Sequence, residues 1–452
     1  MINDEIGFVN ELLKVNEWWA TGTSRKAEKY PKRRTVFSKL ETELQSNRVL
    51  MLFGCRRVGK SVALHQLIQK LLDSRVPREN ILYYQLDDPS LLSYASEPVK
   101  DLIEYALSKK NRGKTYVFLD EVQASQEWYK WIKAYQDRQL DLKFVLSGSS
   151  SLRIQTDANK YLRGRTTEVE MSPLGFREFL EMNEIEIPHV KKDAASLSVA
   201  KTKLSKPLEE YMLVGGFPEW LEVKKQEDSV QRWMSHLLSD VPKKAIYEDI
   251  AVFFGIRNPK VLDLLLNFIA VNQSKILSYE KMSQTVGIDR LTILNYLEFL
   301  KASYLIFEIP VYGSPKKQIK AMKKFLVTDQ GLRNSLVKEY SLREDNQGFI
   351  VENLVGTTLY SNFESVTYWR EQKHEVDFVA GDIPIEVKYK NVIGKGDLNG
   401  LLKFLEKNGK NKGAVITKDK FGRETIENKQ ITFIPFWLFL LEPNIISEGV
   451  KQ

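Results

Sequence analysis

The 452-residue chain has one cysteine, Cys55, so no disulfide can form within it. That removes the cross-link on which many small secreted domains rely and points to a reducing compartment, the cytoplasm. Four histidines and the lone cysteine show no clustered ligand spacing, which argues against a structural zinc site. Glycine (24 residues) and proline (15 residues) are too sparse for a fibrous or disordered chain. No repeat of roughly 20 to 50 residues is evident, which argues against a solenoid or propeller. Long apolar runs are missing as well. The most apolar late stretch, 431–441, falls far short of the ~20 residues that span a bilayer and contains Pro435, so it is expected as a buried strand or helix. The N-terminus carries early acids and no charged-then-apolar export pattern, and no membrane partner is expected.

What is present describes a soluble globular protein, 43% hydrophobic and 28% charged. At ~150 residues per domain its length suggests about three domains. Lysine and arginine exceed aspartate and glutamate by 67 to 59, and this net charge of +8 permits a polyanionic partner without requiring one.

Along the chain, a basic stretch (residues 24–34) precedes an apolar run at 49–53, which ends in glycine and is followed by a helical pattern over 61–72. Further apolar runs at 81–86, 116–119 and 143–146 alternate with helical stretches. Repeated strand and helix imply an α/β fold with a parallel sheet covered on both faces. From Met171 to about Phe254 the periodicity is helical, interrupted by Gly215-Gly216-Phe217-Pro218. Residues 277–328 read as helix, turn at Gly287, helix, then two strands around Gly313-Ser314-Pro315, the outline of a winged helix-turn-helix. A helix (349–362), three strands (366–370, 374–380, 383–389) and a helix beginning near Asp397 close the chain.

Gly54-Cys55-Arg56-Arg57-Val58-Gly59-Lys60-Ser61 matches GxxxxGK[ST] between an expected strand and an expected helix. Backbone N–H groups of such a loop, including those of Gly54, Arg57, Val58 and Gly59, can wrap a phosphate. Lys60 can reach the outer phosphates of ATP and Ser61 can ligate Mg²⁺. The apolar run ending in Asp120-Glu121 would bring Asp120 to the metal and Glu121 to an attacking water, which implies hydrolysis. Ser147 or Ser149 could sense the terminal phosphate, with a plain Gly-Ser turn as the rival reading. Arg163 and Arg165 offer guanidinium groups to a phosphate, within the chain or across a homo-oligomer boundary, with solvated surface arginines as the rival reading.

Together with the FLDEVQ strand end, SGSSS, LRGR, SPLGFREFL and Tyr211–Glu219 (YMLVGGFPE), that loop resembles prokaryotic AAA-type ATPases, abundant in archaea, which carry a C-terminal domain of unassigned function. After the polar N-terminal arm (1–35), the resemblance implies a P-loop ATPase core with a parallel sheet (36–170), a helical lid (171–256), a winged helix (257–338) and a restriction-endonuclease-like α/β domain (339–452).

In that last segment, Glu386 and Lys388 are two apart on a strand and share a face, and a turn at Gly381-Asp382 would bring Asp377 beside them. Asp377 and Glu386 could hold Mg²⁺ while Lys388 orients a water for attack on a phosphodiester. With Glu352 on the preceding helix, the four resemble the PD-(D/E)XK nuclease fold, except that Val376 stands where that motif has proline. Lys316, Lys317, Lys320, Lys323 and Lys324 form an expected basic wing, and Arg290 and Asn295 lie on an expected recognition helix; these are candidate DNA contacts. Trp18, Trp19, Trp128 and Trp131 are expected in the core or an interface. The leading expectation is an Mg²⁺-dependent ATPase that binds or processes DNA, with metal-dependent nuclease activity in its C-terminal domain. The alternative is an ATP-dependent switch or scaffold with an inactive C-terminal module. A weaker third is a defence ATPase acting on RNA.

Overall fold

The computed structural model describes residues 4–138, 141–148, 160–191, 193–390 and 392–447, apart from the side chains of Leu92 and Lys320. The chain divides into two units, residues 1–172 and 173–452. Among the described residues no helix is long and apolar enough to cross a membrane.

In the first unit, β1 (Val49–Phe53), β2 (Ile81–Gln85), β3 (Thr115–Asp120), β4 (Leu142–Gly148) and β5 (Thr166–Glu170) form one sheet in the order β2-β3-β4-β1-β5. Every pairing is parallel. β1 is buried at each of its residues, as a strand covered on both faces must be. β5 escapes sequence reading because Val169 is its only buried residue. Since all five strands run one way, their C-terminal ends share an edge, and Gly54, Asp120 and Gly148 meet along it.

The N-terminal residues expected as an arm instead form short helices (Glu5–Val15, Trp18–Thr21, Arg25–Lys29) that close the β2 edge of this sheet. Buried Asn16 acts as a substitute neighbouring strand: its side-chain oxygen accepts from Tyr83 N–H at 2.7 Å and its amide donates to Tyr83 O at 3.0 Å. Both Trp18 and Trp19 donate their indole N–H to Ile81 O. An edge strand left open would present these groups to other chains.

In the second unit, residues 176–254 are largely helical. The Gly215-Gly216 interruption is explained by Asp329, which caps the helix Gln330–Val337 through Leu332 N–H at 2.9 Å and accepts from Gly216 N–H at 2.7 Å. A Cβ on Gly215 would lie 2.1 Å from that carboxylate, and one on Gly331 would lie 2.0 Å from Val214 O. Gly216 O in turn accepts from Leu174 N–H at 2.7 Å, so the SPLGF and VGGFP stretches are knotted to one another.

Two helices, Tyr279–Val286 and Arg290–Ala302, flank a turn at Gly287, and each starts with a side-chain cap, from Ser278 and Asp289. Beside them β6 (Ile276–Leu277), β7 (Ile306–Ile309) and β8 (Lys323–Val327) form a sheet in the order β6-β8-β7. The link between β7 and β8 holds a short helix, Pro315–Lys320, rather than the tight hairpin expected around Gly313. Lys323 and Lys324, expected on an exposed wing, lie in β8 and are buried. Their ammonium groups face Glu308 and a set of C-terminal carboxylates respectively, so neither is offered to a partner.

The helix Glu344–Asn362 is followed by β9 (Val366–Glu371), β10 (His374–Ala380), β11 (Ile383–Lys388), the helix Asn399–Lys407, β12 (Lys412–Thr417), β13 (Gly422–Ile426), β14 (Lys429–Pro435) and the helix Phe436–Leu441. The strand order is β13-β14-β12-β11-β10-β9, antiparallel from β9 to β11 and parallel from β11 to β12 across the intervening helix. The apolar stretch 431–441 is thus a buried strand followed by a buried helix.

Two measurements test this packing. Replacing Asn16 with alanine strands the N–H and C=O of Tyr83, and urea denaturation should record a loss of about 1–3 kcal/mol; an unchanged midpoint would show that the edge needs no such substitute. Burial raises the Asp329 carboxyl from 3.8 to about 6, against the hydrogen bonds it accepts. Between those values the folded protein keeps a proton that the unfolded chain has released, so stability falls as pH rises across the window. Relative to Asp329→Asn, the wild type should lose up to about 3 kcal/mol from pH ~4 to pH ~6. A flat difference would contradict it.

Candidate functional site

The loop after β1 follows the sequence reading closely. Gly54 has φ +153°, and a Cβ there would sit 2.1 Å from Met171 O, so only glycine fits between the loop and the chain leaving β5. Gly59 has φ +97° at the start of the helix Lys60–Asp73, whose N–H groups and dipole face the loop. Lys60 is buried and donates to Gly54 O and Cys55 O, both at 3.0 Å, which holds its ammonium across the loop. Ser61 follows in the first helical turn, Val58 is fully buried and Arg57 stands exposed at φ +66°. Arg34, unnoticed in the sequence, braces the loop by donating to Val58 O at 3.0 Å and Ser172 O at 2.8 Å.

Asp120 ends β3 with no exposed surface. Tyr83 OH donates to one of its oxygens at 3.0 Å, Ser147 Oγ donates to the other, and Glu121 N–H lies 3.2 Å from it. Burial, and then Asp120, hold the Tyr83 phenol well above its ordinary range, so it remains a donor. Among the described residues no cation pairs with Asp120. A buried carboxylate held only by neutral donors suits a cation such as Mg²⁺. Glu121 is left-handed at φ +52° and accepts from Gln123 at 2.5 Å, a sparsely populated conformation of the kind found at functional sites. Behind Asp120, the His65 ring packs at a tilt against Tyr83, centroids 4.6 Å apart, and bonds Ser24 Oγ at 2.9 Å; burial, with Lys26 adding and Asp120 opposing, lowers the His65 pKa to about 4.

Three expectations here need correction or lie beyond reach. Ser147 binds Asp120 rather than standing free for a phosphate. Arg165 donates to Asp137 at 2.7 Å, and its backbone O accepts from Val49 N–H. That places it at the N-terminal edge of the sheet, a strand length of ~16 Å from the loop. Arg163 is exposed on the turn before it, at the same edge, so neither arginine serves the loop of its own chain. Ser149 lies outside the described residues.

In the second unit the four expected C-terminal residues do converge. The β10–β11 register pairs Phe378 with Ile385, which sets Asp377 opposite Glu386. A bulge between Val376 and Val379 turns both Asp377 and Phe378 toward the helix carrying Glu352. Asp377 accepts from Val387 N–H at 2.8 Å and lies 4.0 Å from Lys388, which also pairs with Glu386. Burial first, and Asp377 second, raise the Glu386 carboxyl, while Lys388 pulls the other way. Its Oε2 is buried without a hydrogen-bond partner.

Two members were missed. Lys324 Nζ lies 2.9 Å from Glu352, 3.2 Å from Glu375 and 3.8 Å from Asp377. Burial opposes its charge, but Glu352, Asp377 and Glu375 outweigh burial and raise its pKa. Three carboxylates share this one ammonium, and burial holds Glu352 above the ordinary range despite Lys324. Glu375 was visible as the same-face neighbour of Asp377, whereas Lys324 was hidden in a lysine-rich stretch. Among the described residues no three or more His, Cys, Asp or Glu side chains are grouped so as to hold a metal, and the Lys324 ammonium stands among these carboxylates. Asp377 and Glu386 remain as a two-carboxylate set, and the unmatched Glu386 oxygen fits a cation.

The candidate DNA contacts are exposed but scattered in role. Arg290 pairs with Glu280 at 3.5 Å, Asn295 faces solvent, Lys316 is exposed, and Lys317 donates to Tyr312 O at 3.2 Å. The Lys320 side chain lies outside the described set.

Gly54→Ala should destabilise the protein by about 1–3 kcal/mol and weaken binding of a fluorescent ATP analogue at least tenfold; unchanged binding would mean that the loop tolerates the clash with Met171.

Residues 46–180 match the AAA domain family, while 205–343 and 347–439 match two domains of unknown function, DUF8612 and DUF4143. The chain is 27% identical over 431 residues to an uncharacterized protein of Methanocaldococcus jannaschii, covering 91% of this chain and 92% of that one. It is 25% identical over 405 residues to an uncharacterized protein of Haemophilus influenzae, covering 86% and 94%. Among solved structures, the Orc1 protein of Aeropyrum pernix in complex with DNA overlaps 67% of this chain and 91% of its own, with 11% identity and a TM-score of 0.31, too low to define a shared architecture. With the loop, Lys60 and Asp120 as described, the matched segment makes the first unit an AAA-type P-loop ATPase core.

Proposed function

We propose that this protein is an Mg²⁺-dependent ATPase that acts on DNA, with a C-terminal domain that cuts phosphodiester bonds. The observation that carries the nuclease half is the meeting of Glu352, Asp377, Glu386 and Lys388, drawn from one helix and two strands. A purely structural sheet has no reason to bury that many charges at one point.

At the nucleotide loop, Lys60 neutralises the outer phosphates, the loop N–H groups hold their oxygens, and Glu121 orients the attacking water and takes its proton. At the C-terminal cluster Lys388 orients the water, and Glu352 holds the neighbouring charge in place through Lys324. Ser61 and Asp120 in one site, and Asp377 and Glu386 in the other, would hold Mg²⁺, which would supply positive charge against phosphate oxygens. The two capped helices and the β7–β8 pair have the winged-helix outline, and exposed Arg290, Asn295, Lys316 and Lys317 suit phosphate contacts. Such contacts make binding steeply salt-dependent.

A second reading has its own support. Because Lys324 already neutralises part of the cluster, the C-terminal domain can stand as a folded, inactive binding module under an ATP-driven switch. One pair of assays separates the two. If the nuclease reading is right, Mg²⁺ or Mn²⁺ should support nicking of duplex or branched DNA at low salt. Asp377→Ala should abolish it, at least a hundredfold, while leaving ATP turnover within twofold. ATP hydrolysis without DNA binding or nicking would move the assignment to the switch.

A further inference from the structure

Lys324 is more than a neighbour of the acidic cluster. Its side chain has no exposed surface, and its Nζ is surrounded by oxygen: Glu352 Oε1 at 2.9 Å, Glu375 Oε1 at 3.2 Å, the Asp377 carbonyl at 3.3 Å and Asp377 Oδ1 at 3.8 Å. The Phe378 ring lies 5.0 Å away and faces the same charge. Several hard oxygens from three residues around one compact positive charge are what a divalent cation would also seek. Glu386 Oε2 is buried with no hydrogen-bond partner among the described residues, so on its other side the cluster still lacks a donor or a cation. Four carboxylates (Glu352, Glu375, Asp377, Glu386) against two ammonium groups (Lys324, Lys388) leave a formal charge of −2, so the cluster still attracts positive charge with Lys324 in place.

We propose that the Lys324 ammonium occupies a cation position of the C-terminal carboxylate cluster, between Glu352, Glu375 and Asp377, so that a divalent ion enters that position only when the ammonium leaves it. The inference rests on the reading of Asp377 and Glu386 as cation ligands, and its test is built to fail separately from that reading. Lys324 belongs to β8, outside the 347–439 segment, so the cluster is completed by a side chain from the neighbouring three-stranded sheet. The number of ions the cluster accepts is therefore set by an element that carries none of the four expected site residues.

The test counts Mn²⁺ bound per nucleotide-free, full-length chain, by paramagnetic resonance of the free ion, with Asp377→Asn/Glu386→Gln as the cluster blank. Wild type should bind at most one cluster-dependent ion. Lys324→Met should bind one more than wild type, and Lys324→Arg no more than wild type. If the uncompensated carboxylates prevent Lys324→Met from folding, Lys324→Met/Glu375→Gln keeps the net charge of wild type, retains Glu352 and Asp377, and should show the same gain. Two cluster-dependent ions in wild type, or no gain in the variants, would overturn the proposal. No cluster-dependent ion in wild type but a gain of one in the variants would uphold it while showing that Asp377 and Glu386 hold no ion as long as Lys324 is in place.

Discussion

An ammonium group sealed from water needs oxygens around it, since desolvating a lone charge costs several kcal/mol even after relaxation. Lys324 meets that condition with Glu352 from a helix and with Glu375 and Asp377 from β10. The requirement ties three elements together at one point. It holds β8 against the helix Glu344–Asn362, where Gly356 allows Leu326 and Phe378 to approach so closely that a Cβ would lie 2.5 Å from the first and 2.7 Å from the second. It also gives the β10 bulge a purpose, because an unbulged strand would turn Asp377 and Phe378 to opposite faces. On the far side of the sheet, Val376 and Val379 join the apolar cluster with Leu401, Phe404 and Phe433.

The first unit obeys a different constraint. Parallel strands need a crossover between each pair, and all their C-terminal ends then open on one edge. Gly54, Asp120 and Ser147 are assembled there by direction alone, before any side chain makes a contact. Direction also disqualifies Arg165: as a residue that precedes a strand, it sits at the opposite edge, where Asp137 takes its charge. The same geometry leaves β2 as an edge, and Asn16 closes it with the two hydrogen bonds a further strand would have made.

Features that depend on nearby residues were readable. The glycine-rich loop, the acid-ended strand and the four apolar runs each carry their signal within about ten residues, and period-two alternation put Glu386 and Lys388 on one face. β5 was not readable because a single buried valine leaves no alternation to see. Ser147 and Arg165 were assigned to phosphate by residue type, yet each is engaged by a partner far along the chain: Asp120 for the serine, Asp137 for the arginine. Lys323 and Lys324 were misread for the opposite reason. In a run of lysines, solvent exposure is the ordinary inference, and only their strand pairing and neighbours show them to be buried.

Sequence alone determined the glycine-rich loop, the aspartate that ends β3, the parallel character of the first sheet and the identity of four charged residues near the C-terminus, because each follows from local spacing and backbone periodicity. Tertiary structure alone decided which charges meet. It brought Lys324 and Glu375 into the acidic cluster, removed Arg163 and Arg165 from the loop, and turned the N-terminal residues into an edge cover. The reason is that a charge's role is fixed by what surrounds it after burial, and residues 28 or 53 positions apart, as Lys324 is from Glu352 and Asp377, leave no mark of their pairing in the order of the chain.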